Sequence, residues 1–99
     1  MSKVKDPKAL KLNIKIDDDT AQGVYANLAM VVHGESEFLI DFMFLQPGRN
    51  EAKVGSRVIL SPIQAKRLLA ALGDNVNRFE QRFGTIPISA TKSGKEIVH

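Results

Sequence analysis

Two hydrophobic periods divide the chain at Ser61. Before it apolar residues recur at every second position, and after it at every third or fourth. A period of two belongs to a β-strand, whose side chains alternate between faces, and the longer period to an α-helix. The order of the two predicts a sheet followed by a helix packed on one of its faces, a two-layer α+β domain.

Four stretches carry the shorter period. Residues 10–17 alternate without exception, with Leu10, Leu12, Ile14 and Ile16 in one phase and Lys11, Asn13, Lys15 and Asp17 in the other. The run DDDTAQG ends this strand, because clustered Asp, Thr and Gly favour turns. A second strand is predicted over 23–33, a third over 37–45 and a fourth over 53–60. Gly34, Glu35 and Ser36 join the second to the third, and the polar loop QPGRNEA joins the third to the fourth. The expected sheet is a four-stranded antiparallel meander.

The helix signal is stronger than any of these. Ser61 stands at an N-cap, Pro62 at the first helical position and Gln64 where a capping-box partner belongs. Ala65, Leu69, Leu72, Val76, Phe79 and Phe83 then form one apolar stripe. Gly73 weakens the middle of this helix and marks a place for a kink, and Gly84 is suited to stop it.

Matching apolar phases orients the strands, since a slip of one residue exchanges the two faces of a strand. A three-residue loop would pair His33 with Glu37 and place Val24, Ala26, Leu28, Met30 and Val32 beside Phe38, Ile40, Phe42 and Phe44. That wall is the expected floor for the helix stripe. The same rule sets Phe42 against Ser56, Ile40 against Val58 and, on the back of the sheet, Asp41 against Arg57, with Ala29 as the neighbour of Asp41 on the second strand. Asp41 then reads as half of a cross-strand ion pair that fixes register. The back face mixes apolar and polar groups in the way of an association surface: Tyr25, Asn27, Val31, Leu39, Asp41, Met43, Arg57 and Ile59 are its candidate residues.

With 99 residues, the chain is one domain, expected over 10–88 with flexible tails at 1–9 and 89–99. A domain of this size buries roughly 60–65% of its unfolded surface, so a lone subunit is marginally stable and association is expected, as a dimer or tetramer. The absence of cysteine rules out disulfides and thiolate metal sites. The segment MSKVKDPKALK lacks the apolar core of a secretion signal, and no run approaches the ~18 apolar residues of a membrane span, so a cytoplasmic protein without membrane association is expected.

Chemistry-bearing constellations are sparse. Asp17, Asp18 and Asp19 lack the alternating ligands of a calcium loop and read as a solvated turn. His33 closes a hairpin and His99 is the last residue, neither with an acid-base partner in view. Ser61 is a helix cap without a nucleophile elbow around it. GRNEAKVGSR joins two strands instead of opening a helix, which is not how phosphate loops are built. Lys66, Arg67, Arg78 and Arg82 form a candidate basic helix flank that could touch phosphate. The formal charge of +3 comes from 14 basic against 11 acidic residues, and Lys3, Lys5, Lys8, Lys92 and Lys95 lie in the expected tails, so the folded part is closer to neutral. No metal and no cofactor is expected.

The stretches YANLAMVVHGESEFLIDFMFLQPG, SRVILSP and NRFEQRFG together resemble a family of short, functionally uncharacterised proteins of bacteria and archaea. The resemblance covers residues 14–86 and rests on Tyr25, Asn27, Glu37, Phe38, Asp41, Phe42, Arg57, Val58, Ser61, Pro62, Glu80, Phe83 and Gly84. It implies no activity. The order of four strands and a long helix is also similar in topology to the SecB-type export chaperones, oligomers that hold unfolded chains in exposed apolar grooves. The expected function is therefore that of a non-enzymatic, self-associating protein- or peptide-binding module, chaperone-like in kind. The alternative is a nucleic-acid-associated protein that uses the basic flank.

Overall fold

The computed structural model describes residues 11–88, so the expected tails at 1–9 and 89–99, and Leu10, lie outside the described residues. Within them a short helix α1 (Asp18–Ala21) is followed by strands β1 (Leu28–His33), β2 (Phe38–Leu45) and β3 (Ala52–Leu60), and by the helix α2 (Pro62–Phe83). The strands form one antiparallel sheet in the order β1-β2-β3.

The α+β class holds, and the sheet has three strands instead of the expected four. Residues 11–17 carry the alternation of a strand but form no strand pairing among the described residues. Alternation specifies which faces a strand would present; only a neighbouring backbone makes it a strand. Leu12, Ile14 and Ile16 are 81%, 84% and 64% exposed as a result. The acidic turn after them is the helix α1: Asp17 caps it by accepting the Thr20 N–H at 3.0 Å. That bond, from Thr20, holds the Asp17 carboxyl below its ordinary value.

The second strand is shorter than expected because Asn27 closes the ladder with its side chain. Its carboxamide nitrogen donates to the Leu45 carbonyl at 3.0 Å, and its oxygen accepts the Leu45 N–H at 2.8 Å. One side chain thus satisfies both backbone groups that another strand residue would have bonded. Freed from the ladder, the chain before Asn27 crosses the sheet. Tyr25 stands edge-on to Phe44 with ring centroids 6.0 Å apart, and Val24 reaches Gly55 of β3. A Cβ on Gly55 would sit 3.1 Å from the Val24 Cγ1 methyl, so glycine is what allows this close approach.

Register on the two sides of β2 had different outcomes. Between β2 and β3, Ile40 faces Val58, Asp41 faces Arg57 and Phe42 faces Ser56, as the phase rule required. A β-bulge then skips Gly55 and sets Met43 against Val54, which moves Val54 to the back face, away from its expected phase with Ser56 and Val58. Between β1 and β2, His33 pairs with Phe38 instead of Glu37. The Gly34 N–H donates to the Glu37 carbonyl at 3.0 Å, leaving only Glu35 and Ser36 outside the ladder. This slip of one residue exchanges the faces of β1: Ala29, Val31 and His33 share the side of Phe38, Ile40 and Phe42, and Met30, not Ala29, is the neighbour of Asp41. At the other end of β2, Gln46-Pro47-Gly48-Arg49 makes a tight turn. Its Arg49 N–H donates to the Gln46 carbonyl at 3.0 Å, with Gly48 at a φ of 83° that favours glycine.

The helix α2 starts as predicted, with Ser61 Oγ accepting the Gln64 N–H at 3.2 Å, and runs through Gly73 without a break. Its orientation is not the expected one. The face turned to the sheet carries Gln64, Arg67, Leu68 and Ala71, which line a cleft of about 500 Å³ against Ile40, Phe42, Val58 and Leu60. The stripe of Leu69, Leu72, Val76, Phe79 and Phe83 points away, exposed along its length. Ser61 alone separates β3 from α2, a connection short enough to constrain how the helix is turned against the sheet. Ile40 and Met43 are the only buried apolar residues among those described.

The paired side chain of Asn27 predicts the first measurable consequence. Asn27→Ala loses both bonds to Leu45, and urea unfolding should show a loss of about 1–2 kcal/mol, with the largest gain in hydrogen exchange at the Leu45 amide.

Candidate association surface and central ion pair

The centre of the back face is a row of three side chains, Met30, Asp41 and Arg57, one from each strand. The Arg57 guanidinium grips the Asp41 carboxylate in two-pronged fashion. Nε lies 2.7 Å from Oδ1 and the terminal nitrogen 2.9 Å from Oδ2. Planar guanidinium and carboxylate match only in a narrow range of strand registers, so the pair selects the register that places Ile40 and Phe42 on the opposite face. The hydrogen bonds from Arg57 hold the Asp41 carboxyl below its ordinary value, and the carboxylate in turn raises the Arg57 pKa.

The remaining candidate residues divide between the two faces. Leu39, Met43 and Ile59 share the back face with the ion pair; Met43 is buried and Ile59 exposed. Val31 is on the opposite face, beside Ile40, as a consequence of the hairpin slip. Tyr25 meets Phe44, also on that opposite face, and Asn27 is engaged at the sheet end. The sequence-derived surface is therefore two surfaces, and the apolar stripe of α2 adds a third that the sequence placed in the core.

The four basic residues of the helix do not converge on one patch. Arg67 lines the cleft beside the sheet. Arg78 is bound to Asp74, one turn earlier, at 2.7 Å. Arg82 lies over the Phe83 ring, 5.3 Å from its centroid. Lys66 is exposed. His33 stacks on its strand partner Phe38 with centroids 5.4 Å apart. Among the described residues no group of three or more His, Cys, Asp or Glu side chains is placed to hold a metal ion, and no helix is long and apolar enough to cross a membrane.

The end of α2 carries a contact that sequence reading missed. Glu80 is half-buried, and its carboxylate accepts the Ile86 N–H at 2.8 Å while its backbone carbonyl accepts that of Gly84 at 2.8 Å. The bond from Ile86 folds the chain back toward the last turn, where the Phe79 and Phe83 rings lie 4.9 Å apart. The spacing Glu-x-x-Phe-Gly carries the signal for this closure, since it puts an acceptor one turn ahead of a glycine stop.

Residues 1–88 match DUF3467, a family of proteins of unknown function, and the chain belongs to that family. No curated protein and no solved structure matches it.

The Asp41 and Arg57 pair gives the protein an acid limit with a definite sign. The folded-state pKa of Asp41 lies below the unfolded value of about 3.9. Its contribution to stability is therefore complete above that pH and is lost as pH falls through the lower folded value. In melting curves taken from pH 6 down to pH 2, Asp41→Asn should lower the melting temperature at pH 6 and flatten its fall in acid. An acid limb identical to that of the unsubstituted protein would exclude the pair as a source of acid sensitivity.

Proposed function

We propose that this member of the DUF3467 family is a non-enzymatic module that self-associates and binds protein segments, holding them in the manner of a chaperone. The observation that carries the reading is the unpartnered stripe of Leu69, Leu72, Val76, Phe79 and Phe83 on a helix whose other face borders the sheet. Five large apolar side chains at helical spacing form the seam through which amphipathic helices dock on one another. Left in water, they would forfeit the burial that a small domain needs to offset the ordering of its chain.

Two features extend the reading from self-association to binding. The cleft between α2 and the sheet is apolar at its floor, with Ile40, Phe42, Val58 and Leu60, and polar at its rim, with Gln64 and Arg67. This is the profile of a site that takes an apolar side chain while bonding the backbone beside it. The back face around Asp41 and Arg57 presents Leu39 and Ile59 next to a fixed charge pair, and so combines apolar area with orientation.

Light scattering at micromolar concentration should give a mass of more than one subunit, and Phe79→Asp or Leu72→Asp should weaken the association at least tenfold while the sheet signal in circular dichroism persists. A clean monomer would overturn self-association. For segment binding, a fluorescent, permanently unfolded polypeptide should show saturable binding that Phe42→Asp abolishes; an unsaturable response would remove that half of the reading.

A further inference from the structure

Among the described residues the structure contains an alternating segment without a sheet and two sheet edges without a neighbouring strand. Residues 11–16 have the alternation of a half-buried strand, yet Leu12, Ile14 and Ile16 are among the most exposed apolar side chains of the described chain. β1 is an edge strand whose outer side has no neighbour among the described residues. The Gly34 N–H points to β2, and alternation along the ladder sends those of Val32 and Met30 the same way. The backbone groups of Ala29, Val31 and His33 are left facing outward.

The two edges of the sheet differ in how they treat a newcomer. β3 carries Lys53 and Arg57 and is broken by the bulge at Gly55, which are the devices that keep an edge strand from pairing. β1, with the sequence LAMVVH, has no Asp, Glu, Lys, Arg, Pro or Gly and pairs with β2 without a bulge. It is the edge left open to strand addition.

The path of the chain leads away from the open edge. From Leu28 back to Val24 the backbone crosses from β1, past Phe44 of β2, to Gly55 of β3. The short helix α1 and residues 11–16 lie before this crossing in the chain. Among the described residues of the single chain the segment pairs with neither edge.

Resting on the self-association proposed above, we infer that the occupant of the β1 edge is the 11–16 segment of a second copy of this chain. It adds as a fourth strand with its apolar phase of Leu12, Ile14 and Ile16 on one face of the partner sheet. The exchange supplies every donor and acceptor that the outer side of β1 lacks, and it places Lys11, Asn13 and Lys15 together on the other face. It restores the four-stranded sheet that the alternation predicts, assembled from two chains.

The natural chain has no cysteine, so single cysteines report the contact cleanly. Ile14→Cys and Val31→Cys subunits are mixed at a concentration where light scattering shows an oligomer, and treated with a short bismaleimide. The expected product is a 14-to-31 link between different chains, at least tenfold above the 14-to-53 product formed with Lys53→Cys subunits. Ile14→Asp, at a residue exposed in its own subunit, should abolish the exchange without changing the circular dichroism of the sheet. A monomeric wild-type chain would overturn self-association, and this contact with it. An oligomer that gives no 14-to-31 link, or links 14 to 53, overturns the strand placement alone. So does a doubly substituted 14 and 31 chain that cross-links within itself at high dilution.

Discussion

β2 is the strand on which the remainder of the described chain is built, because its backbone alone is hydrogen-bonded on both sides. Its register therefore decides which residues of β1 and β3 share a face and where α2 can begin. Asp41, near the middle of β2, turns that dependence into a geometric condition. A two-pronged contact with Arg57 is met in one register and lost on a slip of a single residue. The aromatic phase of Phe38, Ile40 and Phe42 goes to the helix side only when that condition is satisfied.

What β2 organises is an open structure. Three strands and one helix, joined by a single residue, present an apolar cleft, an exposed helical stripe and an unpaired segment, with little enclosed between them. Single residues shape these surfaces: Ser61 joins and caps α2 directly after β3, the Asn27 carboxamide ends the β1 ladder, and Gly55 admits the close approach of Val24 to β3. It is on these surfaces that the self-association proposed above would complete the burial.

The residues that were legible in the sequence are those whose role is local or bound to one strand pair. Ser61, Pro62, the α2 span and the Asp41 and Arg57 pair could be read because a cap has a short signature and because β2 and β3 differ clearly between their phases. The β1 register was not legible. Leu28, Met30 and Val32 are apolar, but so are Ala29 and Val31, and a strand that is apolar in both phases does not choose a side. The turn made the choice, through the bond from Gly34 to Glu37. The bulge at Gly55 was hidden for a similar reason: a glycine in a strand signals close approach or irregularity, but not which residue passes over it.

The amino-acid sequence by itself determined the α+β class, the cap and extent of the long helix, the partner of Asp41 and the membership in DUF3467. All of these depend on periodicity, on motifs a few residues long or on matching phases. Tertiary structure decided which way the apolar stripe of α2 faces, which side β1 turns to the helix, and that the alternating segment at 11–17 has no place in its own sheet. A hydrophobic pattern states which side of an element avoids water. The chain connections decide what is within reach to cover it.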